Sequence, residues 1–484
     1  MGIGCVGIGP GATGSERSVR TWPGYRSADA ARRPRRSPGT GCDGIELAPV
    51  TWQADAMAQL AEDLRFRGLI HQMTDPGLEG RLDSDRMTAY AGFDPTADSL
   101  HVGHLLQVCT LRRLQLAGHR LIAVAGGGTG FVGDPGGKSE ERSLLTQDEL
   151  RANLLGIRGQ LERFLDFGDA DGRPGALLLN NADWLDSLRL FDFLRDVGKH
   201  FTVNQMVAKD SVKSRLSRAD QGISYTEFSY MLLQALDFLH LYDAFGCRLQ
   251  LGGSDQWGNI TMGIELVRKV RHQEVWGLTT PLVLKADGTK FGKTESGTVW
   301  LDAGRTSAYQ LYQFFLRTED SVVGAYLRYF TFLIREEILE LDAATADHPE
   351  RREAQRQLAR LVCSLVHGQS AAERAEQVAA ALFTEDVAKL DEQSIVDAFS
   401  DAPSTQLPLS RLAGAGVPLV DLLVDTGLSR SKGQARTTVE QGGAYVNNRR
   451  AGDAAQTVGT DDLVAERYVV IRRGKRDYHL VSFA

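Results

Sequence analysis

Tyr90-Ala-Gly-Phe-Asp-Pro-Thr-Ala-Asp-Ser-Leu-His-Val-Gly-His104 is the stretch on which the reading of this chain turns. Arg86 to Phe93 is apolar and strand-like, Pro95 marks a turn, and a helix is expected to open near His101 and continue from Leu105 to Leu116. Arg120-Leu-Ile-Ala-Val-Ala125 then reads as a buried strand ending in glycines. Strand, helix, strand with apolar strands implies a parallel α/β sheet. The helix start is expected to offer unbonded N–H groups and a positive dipole end, both suited to phosphate. Gly103 leaves room for a flat ring against the helix, and His101 and His104 share a helical face. His-x-x-His is also a zinc spacing, but no further ligands lie near it in sequence, so a metal site is not the expectation.

Outward from this stretch the chain divides by composition. Residues 1–45 are rich in Arg, Gly, Ser and Pro without apolar periodicity and are expected to be a disordered extension, or upstream sequence from a wrongly chosen start. They lack the apolar core of a signal peptide; their Arg and Ser content also fits an organellar transit peptide, against which the many glycines and prolines argue. Met57 to Gly68 reads as a helix with Gly68 as its stop. Thr226 to Tyr242 is an amphipathic helix, and Cys247-Arg-Leu-Gln-Leu251 is a strand before a Gly-Gly turn. The expected organisation is an α/β catalytic domain over 46–304, a helical domain over 305–397, a linker at 398–412 and a small α+β domain over 413–484. With 484 residues, 42% hydrophobic and net charge −7, the chain has material for several cores and is not a bulk polycation. Its 5 scattered cysteines contain no Cys-x-x-Cys pair and fit a reducing compartment.

Two glycine-rich matches fail on context. Gly128-Thr-Gly130-Phe-Val-Gly133 fits G-x-G-x-x-G, but Asp134-Pro135 follows where a dinucleotide fold needs a helix. Gly137-Lys138-Ser139 resembles the end of a P-loop, yet Val132 occupies the position of the required first glycine. A loop beside a ligand is expected here, with Asp134, Lys138 and Arg142 supplying charge. Lys290-Phe-Gly-Lys293-Thr294 is more informative. The chain carries 44 Arg against 11 Lys, so two lysines together run against its habit. A flexible point charge suits a phosphate that moves.

Pro95 to His104 resembles the His-x-Gly-His signature of class I aminoacyl-tRNA synthetases, and Lys290 to Thr294 their mobile Lys-rich signature. Together with Thr226-Glu-Phe-Ser-Tyr-Met-Leu-Leu-Gln-Ala-Leu-Asp237 and Gly252-Gly-Ser-Asp-Gln-Trp-Gly-Asn259, the wording is similar to the bacterial-type tyrosyl-tRNA synthetase family over residues 56–484. The resemblance implies a Rossmann-like catalytic fold and a two-step reaction. Tyrosine and ATP (as substrate with Mg2+, with no tightly bound cofactor) give tyrosyl-adenylate, and the tyrosyl group then passes to the 3′ end of tRNA(Tyr). By the same resemblance Thr96, His101, His104, Lys138, Arg142, Lys290, Lys293 and Thr294 act on the phosphates. Asp94, Gly103, Asp255 and Lys293 bind the nucleotide, and Gln256 orients the tyrosine carboxylate. Tyr90 and Asp237 take the phenol hydroxyl, while Asp134, Tyr230 and Gln234 take the α-amino group. Tyr230, Gln234 and Asp237 fall at i, i+4 and i+7, one helix face. Ala91, Gln107 and Gly136 depart from residues common in the family.

Residues 413–484 resemble a small RNA-binding module of two short helices and a hairpin. Ten Lys/Arg stand against eight Asp/Glu there, so net charge decides little. Placement carries the expectation: Ser429, Arg430, Lys432 and Arg436 gather at one helix start. The family further implies a homodimer with its contact around 180–230, and a cytoplasmic protein with no membrane association. The alternatives are a tryptophanyl-type synthetase, a simpler His-x-Gly-His nucleotidyltransferase, or a catalytically inactive, synthetase-derived RNA-binding protein. Tyr90 with Asp237 argues against the first, the appended domains against the second, and the intact His104, Lys290 and Lys293 against the third.

Overall fold

The computed structural model describes residues 59–134, 146–169, 174–216, 222–289, 291, 293–294, 297–382, 384–400, 402–474 and 477–484. The expected extension at 1–45 lies outside them. The first helix, α1 (Leu60–Phe66), is closed by Gly68 at φ +68°, a left-handed conformation that suits a residue without Cβ.

Six strands form the central sheet: β1 (Gln72–Met73), β2 (Thr88–Phe93), β3 (Arg120–Ala125), β4 (Leu177–Asn180), β5 (Cys247–Gly253) and β6 (Trp276–Thr280), in the order β1-β6-β5-β2-β3-β4. All neighbours are parallel except β1, which pairs antiparallel with β6 at the edge. β3 from Leu121 to Ala125 and the whole of β6 are buried, as interior parallel strands covered on both faces should be. From β2 the chain proceeds to β3 and β4 on one side, then returns to lay β5 and β6 on the other. The reversal falls between β2 and β5, and ligands of open α/β sheets bind at the carboxyl ends of strands flanking such a point. The α/β class read from the sequence is the class observed.

Around the sheet run α2 (Val102–Leu116), α3 (Gln147–Phe164), the single turn α4 (Ala182–Leu185), α5 (Tyr225–Phe245) and α6 (Trp257–Arg271). Ser224 caps α5 by accepting from the Glu227 N–H, and Gly246 at φ +63° ends it. Beyond the sheet come α7 (Ala308–Leu316), α8 (Asp320–Phe330), α9 (Glu353–His367) and α10 (Gln369–Ala381), whose apolar faces share one core with the sheet and α2. None of the described helices is long and apolar enough to cross a membrane.

The last sheet corrects the linker expected at 398–412. β7 (Ser404–Leu407) pairs parallel with β11 (Asp477–Phe483), and with β8 (Ala444–Val446), β9 (Arg449–Arg450) and β10 (Tyr468–Arg473) it completes a five-stranded sheet ordered β9-β8-β10-β11-β7. Ser404, Thr405 and Gln406 read as linker because an edge strand needs little apolar content when partner and solvent satisfy its backbone. Val464, Tyr468, Val470 and Leu480 of this region share a core with Leu382, Val387, Ile395 and Phe399. Asn448 adds to the contact, donating to the carbonyls of Leu382 at 2.7 Å and Thr384 at 2.9 Å.

Candidate active site

A cavity of about 270 Å³ opens at the carboxyl ends of β2 and β5, where the strand order reverses. Tyr90, Asp94, Thr96, Gly103, His104, Asp134, Tyr230, Gln234, Asp237, Asp255 and Gln256 all line it, so residues 166 positions apart in sequence meet in one crevice. β2 supplies Tyr90 and leads to Asp94 and Thr96, β5 leads to Asp255 and Gln256, and one face of α5 supplies Tyr230, Gln234 and Asp237.

One end is closed and dry. Asp237, 4% exposed, accepts from Trp184 Nε1 at 2.8 Å on one carboxylate oxygen and from Asn181 Nδ2 at 3.0 Å on the other. Burial pushes its carboxyl up to about 7, against the pull of those two donors, and the charge of Asp94 pushes the same way. The Tyr90 hydroxyl is buried and has no protein partner, as has Gln250 Oε1, which also lines the cavity. Burial raises the Tyr90 phenol well above its usual value, and the Asp237 charge adds to this. A neutral hydroxyl donor and a carboxylate at the blind end suit a ligand hydroxyl that both accepts and donates.

A hydrogen-bonded chain runs from this end toward the mouth. Asn181 Nδ2 also donates to Thr129 Oγ1 at 2.9 Å, and Thr129 Oγ1 donates to Asp94 Oδ1 at 3.1 Å. Tyr230 Oη donates to Asp94 Oδ2 at 2.9 Å. Asn181 Oδ1 accepts from the Gly128 N–H at 2.8 Å, tying the glycine loop after β3 to α4. A Cβ on Gly126 would lie 2.3 Å from Asp94 Oδ1 and 2.6 Å from Thr129 Oγ1, so glycine there is required by close approach. The residues directly after β3 make a single 3-10 turn at Thr129–Phe131, and residues 135–145, where the sequence expects the loop to continue, lie outside the described residues.

Gln256 Nε2 donates to Asp134 Oδ2 at 2.5 Å, and Gln234 Nε2 to Gln256 Oε1 at 3.3 Å. Asn259 Nδ2 braces Gln234 Oε1 at 2.9 Å. The carboxylates of Asp94 and Asp134 and the amides of Gln234 and Gln256 thus stand together midway along the cavity. Asp94, expected on the nucleotide, is held by Tyr230 and Thr129 within this group.

The open end is built from the start of α2. His101 caps the helix, its Nδ1 accepting from the Gly103 N–H at 3.0 Å, while His104 Nδ1 accepts from the His101 N–H at 3.3 Å. A Cβ on residue 103 would sit 2.7 Å from the His101 ring, so the flat ring lying against this glycine is that imidazole. Val102 N–H bonds to Val299 O at 3.1 Å and His104 N–H to His101 O at 2.8 Å. The expectation of unbonded N–H groups at this helix start is therefore corrected, because neighbouring chain and the first histidine consume them. The imidazoles and the dipole remain. Lys138, Arg142 and Lys290 lie outside the described residues. Lys293–Thr294 forms a two-strand turn with Gly297–Thr298.

Trp184, Asn181 and Thr129 were missed by sequence reasoning. Asn181-Ala-Asp-Trp184 reads as a turn, and only packing against α5 reveals its purpose.

In the last domain, α11 (Lys432–Glu440) is capped by Ser431, and Arg430 and Arg436 are exposed beside it. Lys432 is offset by Asp421, 2.7 Å away. The three residues share one helix start as expected, with less net charge than their sequence suggests.

Comparison with known proteins places this architecture. Residues 82–384 match the family model for class I tRNA synthetases (W and Y), and residues 394–481 match that of the tyrosine–tRNA ligase SYY-like C-terminal domain. The tyrosine–tRNA ligase of Roseiflexus castenholzii is 53% identical over 425 residues, spanning 88% of this chain and 99% of that protein. That of Geobacillus stearothermophilus is 52% identical over 427 residues, spanning 88% and 100%. The crystal structure of a C-terminally truncated Aspergillus nidulans mitochondrial tyrosyl-tRNA synthetase superposes with a TM-score of 0.61 at 34% identity, covering 67% of this chain and 94% of that one. By these matches over most of its length, and by the crevice that its signatures jointly build, the chain belongs to the bacterial-type tyrosyl-tRNA synthetases of class I.

Proposed function

We propose that the chain activates L-tyrosine with ATP, forming tyrosyl-adenylate and pyrophosphate, and then transfers tyrosine to the 3′ end of tRNA(Tyr). The observation that carries the specificity is the blind end of the cavity. There the unpartnered Tyr90 hydroxyl and the Asp237 carboxylate await a group that both accepts and donates, as a phenol does and an indole or phenyl ring does not. Activation needs no protein nucleophile, because the tyrosine carboxylate itself attacks the α-phosphorus in line and pyrophosphate departs. The chain's contribution is alignment and stabilisation of charge.

In this reading Asp134, Tyr230 and Gln234 hold the ammonium group and Gln256 the carboxylate. Gly103 and Asp255 hold the nucleotide, and Asp94 acts from behind the Tyr230 hydroxyl. Thr96, His101 and His104 meet the phosphates, joined by Lys138, Arg142, Lys290, Lys293 and Thr294. Mg2+ arrives with ATP, whose phosphate oxygens supply the hard ligands the ion prefers. Domain roles follow the same reading: catalysis on the large sheet, the anticodon side on the 305–397 helices, and tRNA contact at Arg430, Lys432 and Arg436.

A homodimer is supported by an exposed apolar face. Phe191 is 78% exposed, Tyr225 73%, Leu190 66% and Val203 64%, all within the region expected to form the contact. The intracellular reading places the protein in the cytoplasm, where its tRNA is. The deciding experiment is ATP–pyrophosphate exchange with each amino acid in turn. Exchange with tyrosine is expected to exceed that with tryptophan or phenylalanine by orders of magnitude, and equal rates would refute the specificity.

A further inference from the structure

The segment after the Lys-rich signature is laced onto the start of α2. Val102 N–H donates to Val299 O at 3.1 Å, Leu301 N–H to Leu100 O at 2.8 Å, and His101 forms an antiparallel bridge with Trp300. Trp300 N–H is itself tied back to Thr306 Oγ1 at 3.0 Å. Side chains continue the lacing. The His104 and His101 rings stack with centroids 3.9 Å apart and planes 25° apart. Trp300 meets the His101 ring at 6.2 Å and 65°, edge to face. The Arg305 guanidinium lies 4.8 Å above the Trp300 ring, and pairs at 2.6 Å with Asp98, three residues before His101. The series His104, His101, Trp300, Arg305, Asp98 therefore closes on the loop from which it starts.

We propose that Trp300, backed by Arg305, is a positioning residue for His101, fixing the plane in which that imidazole faces the phosphates. The proposal rests on the reading of His101 as a phosphate-side residue. Rotation about the last side-chain bond of a histidine is soft, so a hydrogen bond at Nδ1 does not by itself set the plane of the ring. The Gly103 N–H donates to Nδ1, which leaves Nε2 as the ring nitrogen able to donate outward. Trp300 on one side and His104 on the other fix the plane, so the Nε2–H direction is set before ATP arrives. Preorganised donors act without reorganisation during the reaction. Arg305 contributes through Trp300. Its pair with Asp98 is 42% and 49% exposed, so the ion pair itself adds little.

The test is a double-mutant cycle in full-length enzyme. Trp300→Leu, Trp300→Phe and Arg305→Met are made alone and with His101→Asn, and kcat and both KM values are measured in tyrosine-dependent ATP–pyrophosphate exchange. Trp300→Leu is expected to lower kcat about tenfold while the tyrosine KM stays within about twofold, because misplacement of a charge-stabilising group acts on the transition state. Trp300→Phe, which keeps an aromatic edge, should recover to within about threefold of the unaltered enzyme, and Arg305→Met should cost about twofold. With His101→Asn present, each of these losses should nearly vanish, since residues acting through one another are not additive. Equal losses in both backgrounds, an unchanged kcat, or a tyrosine KM rising in step would overturn the proposal. Should Trp300→Leu fail to fold, Arg305→Met in the two backgrounds decides by the same criterion. Absence of tyrosine-dependent exchange in the unaltered enzyme would instead refute the proposed function on which this rests.

Discussion

The two ends of the cavity are built on opposite principles. At the blind end Tyr90, Asn181, Trp184 and Asp237 are 2%, 1%, 7% and 4% exposed, held by one strand and two helices. At the open end Thr96 and Gly103 are exposed and His101 and His104 half-buried. Recognition of one hydroxyl gains from a dry site, where an unmet polar group is costly and a wrong ligand leaves it unmet. Charge building on phosphates needs cations that approach it, and a fully buried lysine tends to lose its proton. In the function proposed above, the buried end discriminates and the open end accelerates.

Removing the buried anion should break this contrast most sharply. Asp237→Ala strips the phenol of its acceptor and leaves the Asn181 and Trp184 donors unmet, so kcat/KM for tyrosine should fall about hundredfold. A loss below about tenfold in pyrophosphate exchange would mean that the blind end does not read the hydroxyl. Thr129→Val is the next largest. It cuts the chain between Asn181 and Asp94 without removing volume, and should cost about tenfold in the same quantity. Thr129→Ser keeps the hydroxyl and should restore most of it. If valine and serine behave alike, packing rather than hydrogen bonding matters at that position.

How far the sequence discloses the site follows the same division. Tyr230, Gln234 and Asp237 were legible because three polar groups on one helix face ask for a ligand or a buried network, whereas Tyr90 was named through the family resemblance alone. The tight turn at Thr129–Phe131 agrees with the sequence reading that no dinucleotide-type helix opens directly after β3. Thr129, Asn181 and Trp184 were not legible, since each is unremarkable in a turn and gains meaning only when α4 packs on α5. The bonded N–H of Val102 was hidden for a related reason, because its acceptor at Val299 lies 197 positions away. The strand at 404–407 was hidden because a parallel edge partner leaves no local pattern. Local chemistry showed in the sequence, and long-range pairing did not.

The contrast is also open to titration. In the free protein the Asp237 carboxyl is pushed up to about 7 by burial, whereas a bound phenol donating to it would favour its ionised form. Tyrosine binding should then release a proton below pH 7 and weaken about tenfold between pH 8 and pH 6, as the ionised fraction falls. Calorimetric titration in buffers of different ionisation enthalpy measures both effects. The stability term has the opposite sense. A carboxyl whose folded value lies above its unfolded 3.8 favours the folded state more as pH falls from 7 toward 3.8, and that gain is lost as pH rises through 7. A tyrosine affinity that is flat from pH 6 to 8 would show that Asp237 keeps its charge without the ligand.

A surface outside the cavity gives the smallest expected effect and the clearest contrast in kind. Arg430 and Arg436 are exposed beside the start of α11, while Lys432 is paired with Asp421. If the two arginines meet tRNA phosphates, replacing both with alanine should raise the KM for tRNA about fivefold. The salt dependence of tRNA binding should become shallower by about one unit of log–log slope per arginine removed. Lys432→Ala should change less than either arginine, because its charge is already offset by a neighbour. Filter binding at several salt concentrations separates these outcomes. An unchanged slope for the double variant would move the tRNA contact off this helix. A Lys432 effect equal to that of an arginine would mean that its pair with Asp421 opens when RNA arrives.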